Sequence, residues 1–299
     1  MIPTYRGRFA PSPTGPLHLG SLVAAIGSYC QARSQQGQWL VRIEDLDRDR
    51  SISQFSDDIL RTLEKYALYW DSQVIYQSRR DAAYREALAN LQAMELVFAC
   101  SCSRREIATI AQAGPLGYIY PGTCRNRSLQ GDKPVALRVV TEGYPEVTFN
   151  DRLSGPASCN LALEAGDFVI QRADGQFAYQ LAVTVDDAEQ NITEVVRGAD
   201  LHSSTPLQIF LQQVLKYQTP GYCHLPLVTN SEGAKLSKQN LAPPISRANP
   251  VPELVLSLQL LGQNPDPHLR YGSAEEILQW AVNCWNLDNI PPHIEITLD

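Results

Sequence analysis

The 299-residue chain has little that would tie it to a membrane, to export or to bulk nucleic acid. No run approaches the roughly 18 consecutive apolar residues of a membrane-spanning helix. The opening residues, Met1-Ile2-Pro3-Thr4-Tyr5-Arg6, lack a basic region followed by an apolar one. No secretion signal is therefore expected, and a cytoplasmic location is. Basic charge is in deficit: 25 Lys and Arg against 32 Asp and Glu give a net charge of -7. That balance argues against nonspecific coating of nucleic acid, but a local basic patch could still hold a structured RNA. Seven cysteines, an odd number without an export signal, argue against a disulfide scaffold and leave buried thiols or metal ligands. There is no internal repeat. The length suits one principal domain with an insertion and a smaller appendage.

What is present is concentrated in Gly7–Ser21. An apolar strand end, Gly7-Arg8-Phe9-Ala10, runs into Pro11, Pro13, Gly15 and Pro16, which stop both strand and helix. From Leu17 the spacing of Leu22, Ile26 and Tyr29 is helical, to about Gln35. A helix N-terminus reached through such a turn presents free N–H groups and a positive dipole end, a seat for phosphate. His18 stands where its ring can add a donor, and Gly20 where a flat base can approach the backbone. Gln38–Ile43 reads as a second buried strand, completing a βαβ unit that ends in Glu44-Asp45-Leu46-Asp47. The fold class is α/β, a parallel Rossmann-like sheet whose ligands bind beyond the carboxyl ends of its strands. Glu44, at one such end, can pair with a substrate ammonium.

Farther along, Ser53–Tyr66 and Asp81–Leu91 read as core-facing helices, with a short strand and turn at Val74–Ser78. Cys100-Ser101-Cys102 and Cys124 lie within 25 residues, with no His nearby. They form either a metal knuckle short of its fourth ligand or a group of reduced thiols. Ala136–Val140 and Glu146–Phe149 read as strands, and Asp167–Arg172, Asp174-Gly175 and Gln176–Tyr179 as a hairpin. Leu181–Asp187 continues it as strand or short helix. Ile192–Leu201 is a buried strand with its end loop, where Arg197 can clamp a carboxylate with two parallel bonds. Thr205 and Pro206 open a helix as N-cap and first residue, running to about Tyr217. His224–Val228 is a strand before the turn Asn230–Gly233, and Lys235-Leu236-Ser237-Lys238 follows. Two helices, Asn249–Leu261 and Ala274–Cys284, and a loop at Asn289–Pro292 close the chain.

Pro-Ser-Pro-Thr-Gly-x-Leu-His-Leu-Gly with a distant Lys-Leu-Ser-Lys resembles the paired signature of class I aminoacyl-tRNA synthetases, and the lead-in Arg8-Phe9-Ala10-Pro11-Ser12 resembles their glutamate branch. The resemblance implies ATP-dependent activation of L-glutamate as an adenylate, with magnesium accompanying ATP. Glutamate would be bound by Arg8, Phe9, Ala10, Pro11, Ser12, Glu44, Tyr179 and Arg197. ATP would be bound by His18, Gly20, Lys235, Ser237 and Lys238, with His18 and Lys238 catalytic. The usual Met and terminal Ser of the second motif are Leu236 and Gln239 here.

Cys-x-Cys followed by Tyr-x-x-x-Cys is similar to the pattern of the short glutamyl-Q tRNA(Asp) synthetase family. It implies one structural zinc on Cys100, Cys102, Tyr120 and Cys124, with Tyr118 a weaker candidate than Tyr120. Leu241–Asp299 is too short for an anticodon-binding domain, so the resemblance implies tRNA(Asp) carrying queuosine as acceptor. The chain is expected to act as a monomer. The catalytic domain is expected in two halves, 1–98 and 191–240, around an insert, 99–190, of the zinc-binding and acceptor type, followed by a short helical region, 241–299. The competing expectations are a truncated glutamyl-tRNA synthetase charging a 3′ end, a small-molecule carboxylate ligase of the same nucleotidyltransferase fold, and a silent RNA-binding paralogue.

Overall fold

In the computed structural model, which describes residues 4–47, 49–127, 134–230, 243–292 and 295–298, the sheet is built on the strand that the opening motif supplies. β1 (Arg6–Phe9) is buried along its last three residues. The turn after it delays α1 (Leu19–Ser34), which starts two residues later than its periodicity suggests because His18 takes the N-cap. β2 (Gln38–Ile43) returns parallel to β1, with Arg8 beside Leu40. α2 (Ser53–Lys65) leads to β3 (Ile75–Tyr76), parallel to β2, and then to α3 (Asp81–Ala93).

The middle of the chain is mostly antiparallel. It comprises β4 (Val97–Cys100), α4 (Arg104–Ile110), a small hairpin of β5 (Ala113–Gly114) and β6 (Gly117–Tyr118), β7 (Ala136–Val139), β8 (Val147–Asp151), β9 (Gly155–Cys159), α5 (Leu161–Glu164) and β10 (Phe168–Gln171). β7 lies between β4 and β10. The strand Val97–Cys100 and helix Arg104–Ile110 have no counterpart in the sequence reading. The helix is local in origin: Ser103 and Glu106 form a reciprocal capping box.

The chain then rejoins the sheet through α6 (Tyr179–Glu189), β11 (Glu194–Gly198), α7 (Thr205–Val214), β12 (Gly221–Leu225) and β13 (Leu227–Thr229). Two expectations need correction here. The second arm of the 167–179 hairpin reduces to one bridge, Gln171 to Phe177, and Tyr179 already belongs to a helix. For Leu181–Asp187, which the sequence left open between strand and short helix, the structure has the helix, with every residue buried, so the run carried no period to separate the two. Thr205 is the first residue of α7 and Ser204 its N-cap, because the Thr205 hydroxyl is engaged elsewhere.

β11 runs parallel to β12, and Thr193 N–H donates to Arg6 O at 2.9 Å beside β1. The parallel strands thus lie in the order β3, β2, β1, β11, β12, with the chain reversing its direction of travel at β1. Such a reversal opens a crevice at the carboxyl ends of the two central strands. α8 (Val251–Leu260) and α9 (Ala274–Cys284) pack Leu254, Leu258, Ile277 and Leu278 into the same core as α1, and β14 (Glu295–Thr297) pairs parallel with β13. Among the described residues no helix is long and apolar enough to cross a membrane.

α1 reaches this sheet closely because Gly27 has no side chain: a Cβ there would stand 2.5 Å from a Leu225 methyl. Gly27→Val should overpack the interface and lower stability by about 2 kcal/mol, read as an earlier urea midpoint with an unchanged slope.

Candidate active site

The crevice is a cavity of about 530 Å³. Arg8 to Ser12 reach it from the end of β1, His18 and Gly20 from the start of α1, and Glu44 from the end of β2. Tyr179 and Arg197 reach it from α6 and β11. Every glutamate-site candidate named from the sequence lines it, and so do two ATP-site candidates. Lys235, Ser237 and Lys238 lie outside the described residues.

His18 is the N-cap of α1. Its Nδ1 accepts the Ser21 N–H at 3.3 Å, and its Nε2 lies 3.0 Å from Ser21 Oγ. An accepting Nδ1 puts the proton of the neutral ring on Nε2. The ring therefore caps the helix while presenting a donor beside the first turn.

Behind Arg8 and Glu44 lies a buried ion network. Asp187 accepts Arg8 Nε at 3.1 Å and Arg8 Nη2 at 3.3 Å, and Arg42 Nη1 at 2.8 Å. Arg42 also donates to Gln190 Oε1 at 2.7 Å and to Glu44 Oε1 at 3.3 Å. Burial works against ionisation of Asp187, but the two guanidinium groups outweigh it and hold its carboxyl below the usual range. Glu44 shifts the other way: burial raises its pKa despite Arg42 and Arg8. A cationic group arriving in the cavity would pull it back down. Tyr179 is also pushed up, by burial and then by Glu44, and so remains a neutral hydroxyl donor.

Arg197 is held more tightly than a two-bond clamp on a ligand would allow. Its Nε donates to His224 Nε2 at 3.1 Å, and its Nη2 to Thr205 Oγ1 at 2.9 Å and Leu201 O at 3.3 Å. Nη1 is buried without a hydrogen-bond partner. One nitrogen, rather than the expected pair, is left without a protein acceptor.

A family model described as tRNA synthetases class I (E and Q), catalytic domain, matches residues 4–249. The chain belongs to the class I (E and Q) tRNA synthetases. It is 53% identical over 288 residues to the glutamyl-Q tRNA(Asp) synthetase of Chromobacterium violaceum, covering 96% of this chain and 95% of that one. It is 50% identical over 293 residues to the glutamyl-Q tRNA(Asp) synthetase of Aromatoleum aromaticum, covering 98% and 92%. The solved glutamate-tRNA synthetase of Elizabethkingia anophelis shares the fold with a TM-score of 0.80 at 23% identity, over 99% of this chain and 68% of that one.

In this class I (E and Q) synthetase a second cavity, of about 1000 Å³, shares Ser12, Glu44 and Tyr179 with the first. Arg50, Arg104, Arg138 and Arg172 line it, and so does Cys102. Behind Cys102 the three sulfur atoms of Cys100, Cys102 and Cys124 all lie within 4.8 Å of one another. The Tyr120 hydroxyl is 3.3 Å from Cys100 Sγ and 3.8 Å from Cys102 Sγ, and Cys102 and Cys124 are 3.5 Å apart. Tyr120 is buried under the Arg138 guanidinium, whereas Tyr118 is exposed on its hairpin. Of the two tyrosines, only Tyr120 reaches the thiols.

The named residues are held by others that the sequence reading did not name as site residues. Arg42, Asp187, Thr205, His224 and Asp151 all stand behind the named ones. Two adjacent carboxylates, Asp186 and Asp187, directly after the run Leu181–Val185 were a legible sign of a buried cationic partner. His224 Nδ1 lies 2.7 Å from Asp151 Oδ2. Burial and the Arg197 charge lower the His224 pKa from 6.5 to about 4, against the pull of Asp151. Asp151 is itself lowered from 3.8 to about 2, its burial outweighed by His224 and backbone N–H donors. The folded ring thus binds its proton more weakly than the unfolded chain does. The His224 contribution to stability should be complete above about pH 6.5 and fall by roughly 3 kcal/mol as the pH drops to about 4. Asp151 adds a further loss only from about pH 4 downward. Urea unfolding at a series of pH values checks this, with His224→Gln expected to remove the upper of the two steps.

Proposed function

We propose that this chain activates L-glutamate with ATP and magnesium, as a monomer in the cytoplasm, and transfers it to the queuosine base in the anticodon loop of tRNA(Asp). A carboxylate oxygen of glutamate attacks the α-phosphorus, forming glutamyl adenylate as pyrophosphate leaves. A queuosine hydroxyl then attacks the activated carbonyl and releases AMP. The protein contributes position and charge rather than a covalent intermediate. His18 Nε2, the α1 N-terminus with Gly20, and Lys235, Ser237 and Lys238 receive ATP. Arg8 and Arg197 receive glutamate carboxylates, Glu44 the ammonium, and Tyr179 donates a hydrogen bond. Phe9, Ala10, Pro11 and Ser12 shape the wall.

The observation that carries this reading is the convergence of Arg8, Glu44, Tyr179, Arg197, His18 and Gly20 on one cavity. Identity of 50% or more over nearly the whole chain to glutamyl-Q tRNA(Asp) synthetases supports the acceptor. Continuation of the parallel sheet by β11 and β12 supports reading 1–98 and 191–240 as two halves of a catalytic domain, with 99–190 inserted and 241–299 appended.

The same reading gives Cys100, Cys102, Tyr120 and Cys124 one structural zinc. Tetrahedral zinc with sulfur at about 2.3 Å and oxygen at about 2.0 Å has ligand edges of roughly 3.8 Å between sulfurs and 3.5 Å between sulfur and oxygen. The observed separations of 3.5, 3.3 and 3.8 Å fit that frame. Zinc there would brace the insert beside the second cavity.

Radiolabelled glutamate with ATP should label tRNA(Asp) that carries queuosine and leave tRNA(Asp) with guanosine at that position unlabelled. Equal label on both would return the chain to charging 3′ ends, and adenylate without labelled RNA to a small-molecule ligase. Metal analysis of the gently purified protein should find one zinc per chain, lost in Cys124→Ser. A native protein without zinc would refute the metal assignment.

A further inference from the structure

Arg197 is held from a part of the chain remote from it in sequence. β12 sets His224 beside Arg197 in the parallel register, and Tyr222 of the same strand pairs with Asp151 at the end of β8. Asp151 is fully committed: Oδ1 accepts the N–H groups of Leu153 and Ser154, and Oδ2 accepts both the backbone N–H and the ring Nδ1 of His224. A guanidinium Nε can only donate, so the His224 Nε2 that faces it must be an acceptor. The ring proton therefore sits on Nδ1, toward Asp151. The ring is further fixed by the Tyr222 ring, parallel to it at 6.1 Å, and by His202, edge-on at 4.9 Å.

We propose that Asp151 and His224 are positioning residues for substrate binding: they lock the tautomer that accepts Arg197 Nε–H, and with Thr205 they turn the guanidinium so that Nη1 alone is left for a substrate carboxylate. This rests on the reading that Arg197 binds glutamate. The physical content is preorganisation. With Nε and Nη2 satisfied by protein acceptors, the arginine cannot swing to meet the ligand, and its ordering is complete before glutamate arrives. The lock originates in the hairpin of β8 and β9, so the middle of the chain sets the geometry of a residue at the sheet crevice.

ATP–pyrophosphate exchange with glutamate varied tests this. His224→Phe keeps the ring packing but removes both polar atoms, and should raise the glutamate KM about tenfold or more, with the ATP KM within about twofold of the native value. His224→Gln offers a carboxamide oxygen to Arg197 Nε–H and should recover most of the loss. Arg197→Ala is the control. If it leaves the glutamate KM unchanged, the reading of Arg197 as a glutamate ligand fails and the positioning role fails with it. If Arg197→Ala raises that KM while a folded His224→Phe does not, the positioning role alone is overturned. Equal impairment of the Phe and Gln variants would also overturn it. Should His224→Phe fail to fold, nitrogen-15 NMR of the histidine-labelled native protein decides: a protonated Nδ1 with an unprotonated Nε2 is expected, and the opposite tautomer refutes the proposal.

Discussion

Asp187 sits in the interior between two guanidinium groups, and the rest of the site depends on that arrangement. Arg8 comes from β1, Arg42 from β2 and Asp187 from α6, so one carboxylate joins the first βαβ unit to the returning part of the chain. Asp186, next to it, is also buried, and accepts from Arg80, Gln77 and Tyr84. Charges removed from water are tolerated only when each has its partners, and losing one partner from such a set costs on the order of 3–5 kcal/mol. The network is therefore better understood as a specifier of geometry than as a source of net stability. It fixes the depth at which Arg8 stands and, through Arg42, the direction in which Glu44 faces.

Much of this site was legible in local sequence. The strand, proline-rich turn and helix from Gly7 onward, the carboxylates after Ile43 and the cysteine spacing each express a short-range constraint that no distant residue needs to complete. What was not legible is pairing across long separations. Nothing in His224-Leu225-Pro226 indicates that its imidazole reads Asp151 on one side and Arg197 on the other. Nothing in Thr205-Pro206 indicates that the hydroxyl leaves its usual capping role for a guanidinium. Leu181–Asp187 was ambiguous for a different reason: burial on all sides erases the polar face that marks a helix. Arg197 was expected to bind a ligand through two parallel bonds, but the number of its nitrogens left without a protein acceptor depends on tertiary partners.

The two cavities meet at Ala10, Ser12, Glu44, Tyr179, Asp200 and Leu201, with the smaller one at the sheet crevice and the larger one bounded by the middle of the chain. The larger one is lined by four arginines and by Glu44, Asp47, Asp174 and Asp200, with Arg50 paired to Asp47 and Arg172 to Asp174. Charges of both signs thus line the larger cleft, and because they act at contact they can orient a polar ligand there whatever the net charge of the chain.

β14 pairs with β13, register by register from Leu227–Glu295 to Thr229–Thr297, and Leu298 N–H donates to Thr229 O at 2.9 Å. Leu227 and Val228 are also part of the cavity wall. β14 is therefore tied to a wall of the candidate site. Mechanically, load applied to the final residues is delivered to the wall that faces the substrate. A fusion partner or immobilisation handle placed there would pull on the working part of the enzyme, whereas the same handle ahead of β1 would act on the opposite end of the sheet's strands.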